Sequence, residues 1–146
     1  MIFEQLITSF VASGAFGIIF NAPRKSIIKC AFVGMFGWYV YVLMVEDGFD
    51  AIVATIVASL LIGVTGHIFS KIYKSPVIIF SVAGIIPLVP GGMAYDAMRN
   101  FVENDYNTAT NLAAKAFMIS GSIAIGLIFS EVLNQIFRKS NKQITK

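Results

Sequence analysis

The sequence predicts an all-α integral membrane protein of about five transmembrane helices, the fourth broken at a Pro-x-x-Pro-Gly element. Three observations carry this. Of the 146 residues 57% are hydrophobic and only 13% charged, whereas a soluble domain carries about 25% charged residues. Five uncharged apolar windows near bilayer length follow one another. Nine of the eleven Lys and Arg residues lie in segments that a five-span topology gathers on one face. Five spans use about 100 residues, which leaves short connections and a tail. No room remains for a soluble nucleotide-binding, protease or kinase domain, and no nucleic-acid partner is expected.

The spans are read at residues 5–22, 27–45, 51–70, 76–93 and 112–137 of a single membrane domain covering 1–146, with a basic tail at 138–146. The first begins after Glu4, where a cleaved secretory signal would carry basic residues, so it is expected to stay. Arg24 and Lys25 precede the second span and Lys29 lies just inside it; Lys71 and Lys74 follow the third; Arg138, Lys139, Lys142 and Lys146 form the tail. Glu4, Glu46, Asp47, Asp50, Asp96, Glu103 and Asp105 fall on the opposite face, with only Arg99 and Lys115 as bases. The positive-inside rule then places the N-terminus outside and the C-terminus in the cytoplasm.

Trp38, Tyr39 and Tyr41 stand near the outer end of the second span, where amphipathic rings anchor at the interface. His67, near the end of the third, has a near-neutral intrinsic pKa and suits either a proton relay or a plain interfacial position. In the fifth span Asn107 is a candidate cap, and Lys115 and Glu131 are placed to snorkel; Glu131 is also a candidate proton-coupling carboxylate. The single Cys30 excludes an internal disulfide, and one His with one Cys excludes a clustered zinc-type site, so neither metal nor cofactor is expected. Small residues at Gly14 and Gly17, Gly34 and Gly37, Gly63 and Gly66, and Ser122 and Gly126 mark faces where helix backbones approach closely. Those faces serve packing within the chain or contact with other subunits. A homo-oligomer is among the expected partners.

Span four starts well, with Ser75 as N-cap and Pro76 at the first position. It stops early. Pro87 and Pro90 are expected to push Ile86 and Val89 out of the helical region, and Gly91-Gly92 follows. From Pro76 to Ile86 a helix covers about 16 Å, against a hydrocarbon core of about 30 Å. Backbone left unpaired at that depth must be buried in protein or line a wet cavity, and broken helices of this kind build substrate and ion sites in transporters. From Met93 an amphipathic helix follows. Met93, Ala94, Ala97, Met98, Phe101 and Val102 lie on one face, with Tyr95, Asp96, Arg99, Asn100 and Glu103 on the other. Asp96 with Arg99 and Arg99 with Glu103 are spaced as a surface ladder; alternatively Arg99 is a carboxylate ligand and Asp96 or Glu103 a proton carrier.

Phe20-Asn21-Ala22-Pro23-Arg24, then Cys30-Ala31, Gly34 and Gly37, then Gly63-Val64-Thr65-Gly66, Pro76, Ile86-Pro87-Leu88-Val89-Pro90-Gly91, and Tyr95, Ala97 and Met98 occur in an order that resembles the threonine/serine exporter family. The small, YjjB-like membrane subunit is the nearest pattern, and the Ile-Pro-x-x-Pro-Gly element is its most specific part. The resemblance implies a prokaryotic inner-membrane secondary exporter in which a small subunit works with a larger membrane subunit. Its implied solutes are threonine and serine or a dicarboxylate such as succinate, and its implied drive is the proton gradient. The Gly91-Gly92 doublet and the Asn104-Asp105 loop depart from the family pattern. The broken helix makes Pro87, Pro90, Gly91, Gly92, Tyr95, Asp96 and Arg99 the pathway candidates, and Asn21, Pro23 and Arg24 form the first-loop motif. No nucleophile, base or metal-ligand constellation points to an enzyme. A scaffold subunit with no solute contacts is the competing expectation.

Overall fold

The computed structural model describes residues 2–144, with side chains through Arg138. Thr145 and Lys146, the end of the expected basic tail, lie outside the described residues. Six α-helices and one 3-10 turn follow in order, with no strand among the described residues: α1 (Ile2–Ile19), α2 (Arg24–Glu46), α3 (Ala51–Tyr73), α4 (Val77–Ile85), the turn Ile86–Leu88, α5 (Gly91–Val102) and α6 (Tyr106–Ile144). Helices α1, α2, α3 and α6 are each long and apolar enough to cross a bilayer. The stretches Val77–Leu88 and Gly91–Val102 form one bent pair with a 50° bend, which makes the fifth candidate span. The chain is a multi-pass membrane protein.

The interior is small and the exterior large, as expected where lipid supplies no hydrophobic drive between helices. Ala31, Ala54, Ala58, Ala83, Ser13, Ser59, Ser122 and Ser130 are buried, while Phe3, Ile18, Ile28, Ile78 and Phe129 are exposed. The buried hydroxyls of Ser59 and Ser130 donate to carbonyls in their own helices, those of Ile56 and Leu127. A Cβ at Gly63 would overlap Ser130, and one at Gly126 would overlap Ser59. Ser59 and Gly63 therefore interlock with Gly126 and Ser130 across parallel α3 and α6, one turn apart. The other small-residue faces also pack inside the chain, with Gly34 on Ser13, Gly37 on Ile62 and Gly66 on Ser81. Phe80, fully buried, meets Phe69 edge to face.

Four turns use a left-handed residue, one of them Lys74 at the end of α3 with φ 52°. Asn21 has φ 55°, Gly48 φ 89° and Asn104 φ 66°. After Asn21, Gly48 and Asn104 the next residue donates back across the helix end, Ala22 N–H to Gly17, Phe49 N–H to Met44 and Asp105 N–H to Asn100. This is the Schellman pattern that satisfies end carbonyls. The first-loop motif is thus a turn: Asn21 supplies the left-handed position, and Pro23 flanks the start of α2 at Arg24.

Two caps differ from the sequence expectation. Helix α4 begins at Val77, with Pro76 at the cap position and no side-chain cap bond; the Ser75 carbonyl instead accepts from Ser70 Oγ at 2.6 Å. Helix α6 begins at Tyr106, not near residue 112. Its cap is Asp105, which accepts from Thr108 N–H at 3.1 Å and from Thr108 Oγ1 at 2.7 Å, so Asn107 is inside the helix. These bonds hold the Asp105 carboxyl below the usual carboxylate range, the Thr108 hydroxyl contributing most. The 39 residues of α6 extend about 58 Å, far more than a bilayer core. Met118 is level with the start of α3, since Met118, Ala51 and Ile52 line one groove. The first turns of α6 therefore run past α3 and pair with α5.

Candidate functional site

The break is built from two prolines that act differently. Ile86 keeps helical backbone at φ −51°, ψ −45°, so Pro87 does not expel it; Pro87 sits early in the 3-10 turn, where it withdraws little hydrogen bonding. Val89 is expelled, at φ −65°, ψ 126°, ahead of Pro90. Val89 N–H donates to Ile86 O at 3.2 Å, Gly91 N–H to Val89 O at 2.8 Å and Ala94 N–H to Pro90 O at 3.1 Å. Helix α5 then starts at Gly91 with no side-chain cap. Neither Gly91 nor Gly92 has a positive φ, and a Cβ on either would meet open space.

Against this turn lies a cavity of about 230 Å³, lined by Trp38, Tyr41, Thr55, Ile119 and the segment Pro87, Leu88, Val89, Pro90, Gly92 and Met93. Four elements besides the break wall it: α2, α3, α5 and α6. Trp38 and Tyr41 stack with ring centroids 5.1 Å apart. Both are half-buried and face the cavity, so they are not simply interfacial anchors; Tyr39, on the other side of α2, is exposed. Thr55 gives its hydroxyl proton to the Ala51 carbonyl at 2.7 Å, which leaves its oxygen free to accept.

Two grooves adjoin the cavity toward the acidic end of the bundle. Trp38 and Pro87 also line one of about 420 Å³ with Glu4, Gln5, Thr8 and Ser9, and Trp38 Nε1 donates to Gln5 Oε1 at 3.4 Å. Met93 and Ile119 also line one of about 520 Å³ with Asp50, Asn111 and Lys115. A larger cleft of about 540 Å³ between α1, α2 and α3, lined by Leu6, Phe32, Val33 and Phe69 among others, is almost wholly apolar.

The sequence-derived candidates are therefore divided. Pro87, Pro90 and Gly92 line the cavity, and Gly91 opens α5 beside it. Tyr95, Asp96 and Arg99 lie farther along α5 and are exposed. Arg99 Nε meets Glu103 Oε1 at 3.0 Å. Asp96 instead has its carbonyl bonded by Asn100 at 2.7 Å, and no Asp96–Arg99 pair is present. Trp38, Tyr41, Thr55, Gln5, Asp50 and Asn111 were not legible as site residues, because nothing in their local pattern separates a lining side chain from an anchoring or lipid-facing one.

A family model described as "Threonine/Serine exporter, ThrE" matches residues 5–133. The chain belongs to the threonine/serine exporter family. The match runs from the start of α1 through most of α6 and includes every residue of the cavity. No solved structure matches the chain. An exporter function fits what the site holds: neutral donors and acceptors with aromatic rings at a break within a membrane bundle, where irregular backbone is tolerated if it lines a cavity.

Proposed function

We propose that this exporter-family chain is the small subunit of a two-component inner-membrane secondary exporter of threonine and serine or of a dicarboxylate such as succinate, driven by the proton gradient. The cavity at the Pro-x-x-Pro-Gly break carries the reading. It joins a bent helix, hydrogen-bonding side chains and two grooves that lead toward the acidic end. At about 230 Å³ it falls below the ~300–1,000 Å³ of pockets for drug-sized ligands, which suits a small solute or one wall of a pathway. With the basic end in the cytoplasm, the grooves open on the far side, where an exported solute leaves. Tyr95, Asp96 and Arg99, exposed on α5, then face the larger subunit or the exit.

The scaffold reading draws on the same exposure, since Tyr95, Asp96 and Arg99 line no cavity wall at the break. Efflux of labelled threonine, serine and succinate separates the two, from cells making this chain, the larger subunit, or both. Protonophore-sensitive efflux only from the pair, lost with Trp38→Ala or Pro87→Ala at equal membrane abundance, is the expected result. Full efflux from the larger subunit alone would reduce this chain to a scaffold.

A further inference from the structure

We propose that His67 and Glu131 together form the proton-binding site that couples solute export to the proton gradient, a role that rests on the exporter reading above. His67 Nε2 and Glu131 Oε2 are 3.0 Å apart, joining α3 to α6. Gln135 Nε2 adds a second bond to the carboxylate at 3.3 Å. The carboxylate thus reaches across to a neighbouring helix and, with Gln135 one turn on, toward the basic end.

Depth makes the pair unusual. Gly63 is next to the middle of α3 and faces Ser130, so Glu131 is close to the mid-level of the bundle. His67 lies about 6 Å farther toward the basic end. A carboxylate there is costly and marks a functional site by default. This chain does not enclose it: the Glu131 side chain is 50% exposed and His67 13%. A pair serving only to staple two helices has no need of an open carboxylate, because the interlocked serines and glycines beside it already hold α3 to α6.

The proton balance is simple. With His67 neutral and its Nε2 proton donated to Glu131, the pair carries one negative charge. One added proton, on His67 Nδ1 or on the carboxylate, makes the pair neutral overall. One proton is bound and no bond other than that to hydrogen changes, so the pair alternates between a charged state and a neutral one suited to a low-dielectric setting.

No other charge on the packed elements is paired with His67 or Glu131 among the described residues. On α3, Lys71 is one turn beyond His67; on α6, Lys115 is far toward the acidic end and Arg138 two turns past Glu131. On α2, Lys29 sits 3.1 Å from the centre of the Tyr73 ring, Arg24 and Lys25 begin the helix and Glu46 ends it. Helix α4 has no titratable group, and the Asp96, Arg99 and Glu103 charges of α5 lie at the acidic end. Among the described residues, the acid–base side-chain contacts are this one and Arg99–Glu103.

The test uses inverted membrane vesicles holding the complete complex. Accumulation of labelled serine, threonine or succinate driven by an acid lumen is compared with solute exchange at equal pH. Glu131→Gln keeps the shape and the bond to His67 but cannot lose or gain the proton. We expect it to preserve exchange while driven accumulation falls about tenfold or more. His67→Gln, which keeps a donor for Glu131, should preserve exchange and displace the pH dependence of driven transport. Driven accumulation intact in Glu131→Gln would overturn the assignment, as would equal loss of exchange and drive in both variants, the mark of a structural pair. If the unaltered complex itself ignores the pH gradient and a protonophore, the proton-driven reading falls and the coupling role falls with it.

Discussion

The seam between α3 and α6 and the break between α4 and α5 handle polar backbone in lipid in opposite ways. At the seam, both helices are continuous, small residues interlock at the closest approach, and the buried hydroxyls of Ser59 and Ser130 are satisfied within their own helices. At the break, the helix stops, the prolines lack N–H groups, and α5 begins without a cap beside a cavity. Glycines show the difference. Gly63 and Gly126 have no space for another atom, while Gly91 and Gly92 have open space around them. Glycine at the seam serves the fold; glycine at the break is spare room that the fold does not consume.

The largest expected effect breaks the seam. Gly126→Leu would drive a side chain into Ser59 and against the backbone of Ile56 and Leu60. Overpacking of this kind costs about 1–3 kcal/mol even where flexible side chains can yield, and here backbone cannot. Loss of the protein from the membrane, or a much lowered melting temperature in detergent, is the expected outcome; an unchanged melting point would mean that the helices are not in this register. Next is the double change Pro87→Ala, Pro90→Ala. It should let α4 run on into the cavity and lower export about tenfold at equal abundance, read by efflux of the labelled solute. Unchanged export would separate the break from the pathway.

Gly92→Ala sharpens the contrast. With space around it and no left-handed φ, alanine in the first turn should hold or raise stability by up to ~1 kcal/mol. If thermal stability holds while transport falls, the spare room belongs to the solute or a partner. A smaller effect is expected at Asp105. Its folded pKa is depressed, so its contribution is complete above the ordinary carboxylate value and lost as pH falls through the depressed one. The protection factors of the Thr108 and Ala109 amides, taken relative to the intrinsic exchange rate at each pH, should fall on acidification across that window, and Asp105→Ala should lower them at neutral pH. The smallest effect belongs to Arg99→Ala, whose exposed pair with Glu103 should leave the melting temperature unchanged.

Much of the bundle was legible because hydropathy is a one-dimensional quantity. Apolar windows, the proline stop and the amphipathic stretch after it all act on neighbours within a turn or two, and α1, α2 and α3 follow from them. The misjudged details were competitions decided nearby in space: Asp105 over Asn107 as cap, Ser70 over a capping role for Ser75, and a 3-10 turn that keeps Ile86 helical despite Pro87. The candidate site was half legible. Pro87, Pro90 and Gly92 announce themselves by chemistry along the chain, whereas Trp38 and Tyr41 read equally well as interfacial anchors.

By itself the sequence determined the solvent, the helical class and the place where the fourth helix fails, since these depend on transfer free energies and backbone restrictions that each residue carries with it. Tertiary structure alone decided which residues meet. That Glu131 reaches His67, 64 positions back in the chain, follows from the register of α3 on α6. That register is set by which glycine receives which serine, a matter of shape across two helices that no local pattern encodes.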